Sequence, residues 1–252
     1  MKRALFLAAG LMALPTTAAP PCPADIPRIA HQLVATHPHN PDAFTQGLAF
    51  AGGQLVESSG GYGRSFLALG PPGGAYTRQT TLPKKLFAEG LAVVDDHIWL
   101  LSWKRGVARV YEMSTLALLA EHRYRGEGWG LTSDGKTLYM SDGSAGLTLR
   151  RPDDFSEISR RTVRAGERAL SRLNELEWVD GQIFANIWGS DHIARIDPDT
   201  GCVNGWLDLS ALWPRAQRPA TADVLNGIAW QDGHLWVTGK RWPTLYQLRL
   251  QP

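Results

Sequence analysis

In a chain of 252 residues, 26 Lys and Arg stand against 24 Asp and Glu, so there is no charge excess to hold a nucleic acid, and none is expected as a partner. The length suits one domain with a large core or a closed repeat architecture. No stretch of the chain approaches the roughly 20 consecutive apolar residues of a membrane-spanning helix, so no membrane span is expected.

The first residues, "MKRALFLAAGLMALPTTAAP", carry a basic tip at Lys2 and Arg3, an apolar run from Ala4 to Leu14 and small residues at Ala18 and Ala19. This reads as a secretory signal peptide over 1–19, which implies export to a periplasmic or secreted location and leaves a mature domain of 20–252. Cleavage there removes two basic residues and takes the formal charge from +2 to about zero. "AAPPC" lacks the aliphatic residue expected upstream of a lipoprotein cysteine. Cys22 and Cys202 can bridge in an oxidising compartment; they can equally stay as thiols, because two cysteines carry no spacing signature.

"IAHQLVATH", residues 29–37, reads as a strand with no unit of its own. The "HPH" at His37–His39 offers two imidazoles to a metal, although its Pro-rich turn accounts for it as well. From there the chain repeats itself: "FTQGLAFAGGQLVESSG", "FAEGLAVVDDHIWLLSW", "EGWGLTSDGKTLYMSDG", "LNELEWVDGQIFANIWG" and "LNGIAWQDGHLWVTGKR". Each copy is a strand, a tight turn rich in Gly and Asp, and a second strand. A third strand follows each copy, and a more polar fourth follows all but the last. Gly47, Gly90, Gly130, Glu175 and Gly227 mark the repeat starts, at spacings of 43, 40, 45 and 52 residues, in the range of a propeller blade.

These elements predict an all-β, five-bladed propeller of four-stranded antiparallel blades, its ring closed by the N-terminal strand so that no sheet edge stays open. The longest spacing holds "SALWPRAQRPATADVL", expected at one rim. An irregular sandwich would make the self-similarity accidental. Ala165 to Leu173 is the one short stretch of the mature chain with a helical period.

In a propeller the first strand of each blade lines the channel. The residues just before the shared glycine, or before Glu175 in its place, are Gln46, Glu89, Trp129, Asn174 and Asn226, a polar column containing one carboxylate. Wet channel walls explain the amides more readily than they explain Glu89. Three residues further on, Ala49, Ala92, Thr132 and Ala229 match Glu177, a second carboxylate that either serves the site or pairs with an arginine. Trp103, Trp188, Lys240 and Trp242 end the second strands, over the same channel mouth. Of the ten tryptophans, Trp99, Trp178, Trp230 and Trp236 read as packing, whereas Trp103, Trp129 and Trp188 are placed to frame a pocket.

"PHNPDAFTQGL", "FAEGL", "EGWGLTSDGKTLYMSDGS", "LNELEWVDGQIFANIW" and "LNGIAW" closely resemble the plant and bacterial type of glutaminyl cyclase, or glutaminyl-peptide cyclotransferase, over essentially the whole mature chain. The resemblance implies a five-bladed propeller, agreeing with the repeat count. It also implies conversion of the N-terminal glutamine of peptides or proteins to pyroglutamate with release of ammonia. Its catalytic glutamate falls on Glu89, as general base and acid. Gln46, Asn174 and Asn226 would hold the substrate amide, Trp103, Trp129 and Trp188 would wall the pocket, and Lys240 and Glu177 complete the expected substrate-binding set, with Glu177 able to anchor the amine or exchange roles with Glu89. The type is unrelated to the zinc-dependent animal enzymes; no metal or cofactor is expected, and the protein should be a monomer. Two other readings remain: a non-catalytic propeller of the cell envelope that binds peptides at the same mouth, and a metal-dependent propeller hydrolase, for which the column supplies few ligands.

Overall fold

The computed structural model describes residues 21–251; the expected signal peptide over 1–19 lies outside the described residues. Five four-stranded antiparallel sheets follow one another along the chain. Blades 1 to 4 span 45–81, 88–123, 131–162 and 173–208. Blade 5 takes its three inner strands from 225–250 and its outermost from His31–Pro38, which pairs antiparallel with Thr244–Leu250. Each innermost strand packs against those of the two flanking blades, and blade 1 packs against blade 5. The result is the closed five-bladed propeller that the repeats predict, with the N-terminal strand completing the last blade.

The Asp- and Gly-rich turns form because both central residues need positive φ, which matches the right-handed twist of the strands they join. Asp180 and Gly181 have φ of 46° and 82°, and Asp232 and Gly233 have 52° and 73°. Between neighbouring blades the facing side chains make the core. Trp99 stacks on Phe155 across one junction at 5.3 Å, Trp178 on Tyr139 across the next at 5.5 Å, and Trp236 meets Phe50 at 5.5 Å where the ring closes. Trp230 packs partly buried between blades 4 and 5.

Two local expectations change. Residues 165–173 are not helical: Arg164–Ala165 and Arg168–Ala169 pair as a short hairpin around Gly166 at φ 60°. Nine residues interrupted by a glycine do not sustain a helix alone, and the parallel bridge from Arg164 to Cys202 takes the backbone instead. Trp242 does not overhang the mouth: it is fully buried, because its loop turns back on Gly239 and its indole N–H donates to the Asp223 carbonyl at 2.8 Å.

Cys22 is bonded to Cys202, 180 residues away. From there the chain runs beside blade 4, where Ile29 N–H donates to the Trp206 carbonyl and Trp206 N–H to the Pro27 carbonyl, before entering blade 5. The bridge therefore anchors the segment that closes the ring. Cross-links over long loops contribute about 2–4 kcal/mol, so Cys22→Ser with Cys202→Ser should lower the thermal midpoint by roughly 4–16 °C. A calorimetric scan checks it, and an unchanged midpoint would mean that the closing strand holds without its anchor.

Candidate active site

Four of the five innermost strands break their pairing at the same place. Register shifts fall between Thr45 and Gly47, Ala88 and Leu91, Leu173 and Leu176, and Leu225 and Ile228. Gln46, Glu89, Asn174 and Asn226 thus sit in β-bulges, where a residue leaves the ladder and its side chain is re-aimed. The freed peptides join the blades: Gly90 N–H donates to the Trp129 carbonyl at 2.7 Å, and the Ser58 and Ser141 hydroxyls donate to the Glu89 and Asn174 carbonyls at 2.6 and 2.7 Å. A Cβ on Gly90 would stand 2.5 Å from the Gly130 Cα. Glycine follows the functional position because the ring is tightest there.

Over these bulges opens a cavity of about 440 Å³, a size suited to a small molecule or a chain terminus. Gln46, Glu89, Trp103, Trp129, Asn174, Trp188 and Lys240 line it, together with Phe44, Phe87 and Asp223. Glu89, Gln46 and Asn174 are buried, at its floor. The aromatic rings form a collar in edge contact: Phe44 with Phe87 at 6.2 Å, Phe87 with Trp103 at 5.5 Å, and Trp129 with Trp188 at 6.2 Å.

The sequence does not single out Phe44 and Phe87, nor Glu127, whose Oε2 accepts both indole N–H groups, Trp103 at 2.7 Å and Trp129 at 2.9 Å. All three stand two residues before the polar column, in the segments that lead into the innermost strands. That shared place in the repeat is the signal that could have found them.

Asn226 and Glu177 do not line the cavity. Asn226 Nδ2 donates to the Thr45 carbonyl at 3.0 Å and lies 3.5 Å from Gln46 Oε1, closing blade 5 onto blade 1 behind Gln46. Glu177 accepts the Trp230 N–H at 2.8 Å, and burial pushes its pKa up to about 8. Glu175, which occupies the place of the glycine in blade 4, reaches across the channel to accept the Leu48 and Ile228 N–H groups at 3.2 and 2.9 Å. These two carboxyls join blades by accepting backbone N–H groups of the innermost strands of blades 1 and 5, whose channel-facing edge has no further strand to pair with.

Glu89 differs from both. No hydrogen bond from the described residues holds its carboxyl. Burial raises its pKa well above the usual carboxylate value; Lys240 opposes that and Glu127 adds to it. Lys240 is buried beside the Phe44 ring, 4.9 Å from its centroid, and burial lowers the pKa of its ammonium against the pull of Glu89 and Asp223. The signs give a test: Glu127→Gln should move the Glu89 titration to lower pH, and Lys240→Met should move it to higher pH. Carboxyl shifts followed by NMR read this directly; a common direction for both variants would contradict the electrostatics.

A second cavity, of about 400 Å³, lies beside His39, Glu57 and Tyr76. Here the polar groups are already engaged with one another. His39 hydrogen-bonds the Trp242 carbonyl at 2.7 Å and Glu57 at 3.2 Å, and Glu57 accepts the Thr45 and Tyr76 hydroxyls at 2.7 Å each. His37 packs on Trp236 at 4.8 Å. The "HPH" segment is thus part of the ring closure.

A closed five-bladed propeller, with a hard-to-ionise carboxyl that no described residue hydrogen-bonds beneath an aromatic collar, defines a pocket sized for a small group with a proton-carrying residue at its floor. The chain belongs to the glutamine cyclotransferase family, whose model matches residues 5–250. It is 37% identical over 227 residues to a glutaminyl-peptide cyclotransferase of Arabidopsis thaliana, covering 87% of this chain and 71% of that one. The crystal structure of Myxococcus xanthus glutaminyl cyclase matches it with a TM-score of 0.84 at 35% identity, over 90% of this chain and 99% of that one.

Proposed function

We propose that this protein is an exported glutaminyl-peptide cyclotransferase that closes the N-terminal glutamine of a peptide to pyroglutamate and releases ammonia, with Glu89 as the proton carrier. The observation that carries the reading is the buried Glu89 carboxyl, which no described residue hydrogen-bonds, at the floor of the cavity, in a chain of this family.

The α-amine nitrogen of the substrate attacks its own γ-carboxamide carbon. Glu89 accepts a proton from that nitrogen and returns it to the amide nitrogen, so that the C–N bond breaks and ammonia leaves. One carboxyl serves both steps and ends as it began. A pKa raised from the reference value of about 4.3 brings its proton affinity closer to the working pH, where a shuttle is most effective. The amides of Gln46 and Asn174 donate to the carbonyl oxygen as negative charge develops on it, and the Lys240 charge favours that oxyanion. The collar holds the side chain curled into a five-membered ring, which replaces a costly search for that shape by binding. Asn226 supports Gln46 from behind, and Glu177 supports the channel rather than the chemistry.

The test is ammonia release from a short peptide beginning in glutamine, beside the same peptide N-acetylated, each with and without chelator. Release from the free peptide alone, unaffected by chelator, is expected. Equal release from the acetylated peptide would contradict cyclisation, because its nitrogen cannot attack. The peptide-binding reading has no observation that favours it over this one.

Residues 1–19 serve as the secretory signal in this reading, and the Cys22–Cys202 bridge supports an oxidising destination. N-terminal sequencing of exported protein should begin at or near Pro20.

A further inference from the structure

Charge is sorted along the propeller axis. The turns at the end away from the pocket hold Asp95, Asp96, Asp134, Asp180, Asp197 and Asp232, with Lys136 and Arg151 as the basic exceptions. The mouth carries the opposite sign. Lys104, Arg172 and Arg241 come from the loops of blade 2, the approach to blade 4 and the loop of blade 5, and each stands over a different wall of the pocket. The Lys104 Nζ is 3.9 Å from the Trp103 ring centroid, the Arg172 guanidinium 5.8 Å from that of Trp188, and the Arg241 guanidinium 5.5 Å from that of Phe44.

Most acidic groups at this end are already engaged. Asp191 holds Arg215 and Arg218 at 2.7 and 3.0 Å, Asp142 holds Arg160 at 2.7 Å, and Glu127 is bound to two indoles and lies 3.9 Å from Lys104. Asp42 and Asp223 are the exceptions. Arg172 and Arg241 form no salt bridge among the described residues. The charge left over at the mouth is therefore positive, although the mature chain as a whole is nearly neutral.

We propose that this rim selects peptides whose residues directly after the terminal glutamine are acidic, with Lys104, Arg172 and Arg241 determining that preference. The inference rests on the cyclotransferase reading: the terminal residue fills the cavity, and the rest of the peptide must leave between these cations. Because they come from three parts of the ring, a cation borders each way out. An aromatic wall beneath each one lowers the local dielectric and strengthens its attraction for a carboxylate. The acidic far end repels such a peptide, so the molecule's polarity also steers it to the correct face.

The experiment measures kcat/KM for three peptides beginning Gln-Glu-Glu, Gln-Ala-Ala and Gln-Lys-Lys, at low and high ionic strength. At low salt the acidic peptide should exceed the neutral one by about tenfold and the basic one should fall below it, with the spread collapsing as salt screens the rim. In the double variant Arg172→Glu/Arg241→Glu the order should reverse, with the neutral peptide reporting that the pocket remains intact. Equal rates for the three peptides at low salt, or an unchanged order in the variant, would overturn the role of the rim alone. Cyclisation of none of the three would overturn the cyclotransferase reading and the rim's role with it. The salt dependence of the unaltered protein decides between these outcomes even where the variant does not fold.

Discussion

Replacing Glu89 with Gln is expected to lower kcat for a glutamine-leading peptide by about a thousandfold or more, with the thermal midpoint close to that of the unaltered protein. A positioned acid or base contributes about 10²–10⁴ in rate, and this residue is used on both the attacking and the leaving nitrogen. The carboxamide has nearly the same shape, yet it can neither accept the amine's proton nor return it. Stability should hold because the Glu89 carboxyl spends no hydrogen bond on the described protein and carries a buried acid of raised pKa, which an amide of the same size replaces without loss. Glu177→Gln keeps an acceptor for the Trp230 N–H and should stay within about tenfold of full activity. Steady-state kinetics beside thermal melts separate the two residues. A Glu89→Gln enzyme as fast as its parent would make Glu89 part of the channel wall and nothing more.

The second large effect falls on stability. Glu175→Ala should leave the Leu48 and Ile228 N–H groups buried without the carboxyl that accepts them. Each such orphan costs about 1–3 kcal/mol, and the pair should lower the thermal midpoint by roughly 4–24 °C. The pH dependence adds a sign. Burial and the neighbouring Glu177 hold the Glu175 pKa well above the usual value, so the folded state binds this proton more tightly than the unfolded chain. The stability it contributes is fully present below the unfolded carboxyl pKa and is lost as pH rises through the folded one. The alanine variant should lack that part of the decline and keep the parts belonging to Glu177, with its pKa of about 8, and to Glu89. Melts across pH with unchanged midpoints would remove Glu175 from the ring's framework.

The propeller is legible in the sequence because its unit repeats five times with the same turn chemistry, and because one N-terminal strand has no partner of its own. The polar column before the shared glycine is legible for the same reason, and it locates the floor of the pocket. What escapes are features that one blade has alone or that a bulge decides. Glu127 has aromatic rings as its counterparts in blades 1 and 2, so nothing in its own segment marks it as the clamp on two indoles. Asn226 shares the column with Gln46, yet the bulge in blade 5 spends its amide on the Thr45 carbonyl. Trp242 follows Lys240 by two residues, which suggests a common direction, but the tight loop at Gly239 folds the indole into the core. Spacing identifies which residues converge; the backbone turn at each place decides which of them face the cavity.

The proton carried by Glu89 is the centre of the proposed mechanism, and the pH dependence of kcat/KM for cyclisation tests it most directly. In the productive encounter both the Glu89 carboxyl and the substrate α-amine, whose reference pKa is about 7.7–8.0, have lost their protons. The rate is therefore expected to fall with two-proton dependence on the acid side, one step belonging to the amine and the other to a carboxyl lying well above the ordinary range. A carboxyl step at the reference value of about 4.3, or a one-proton limb that follows the amine alone, would contradict it.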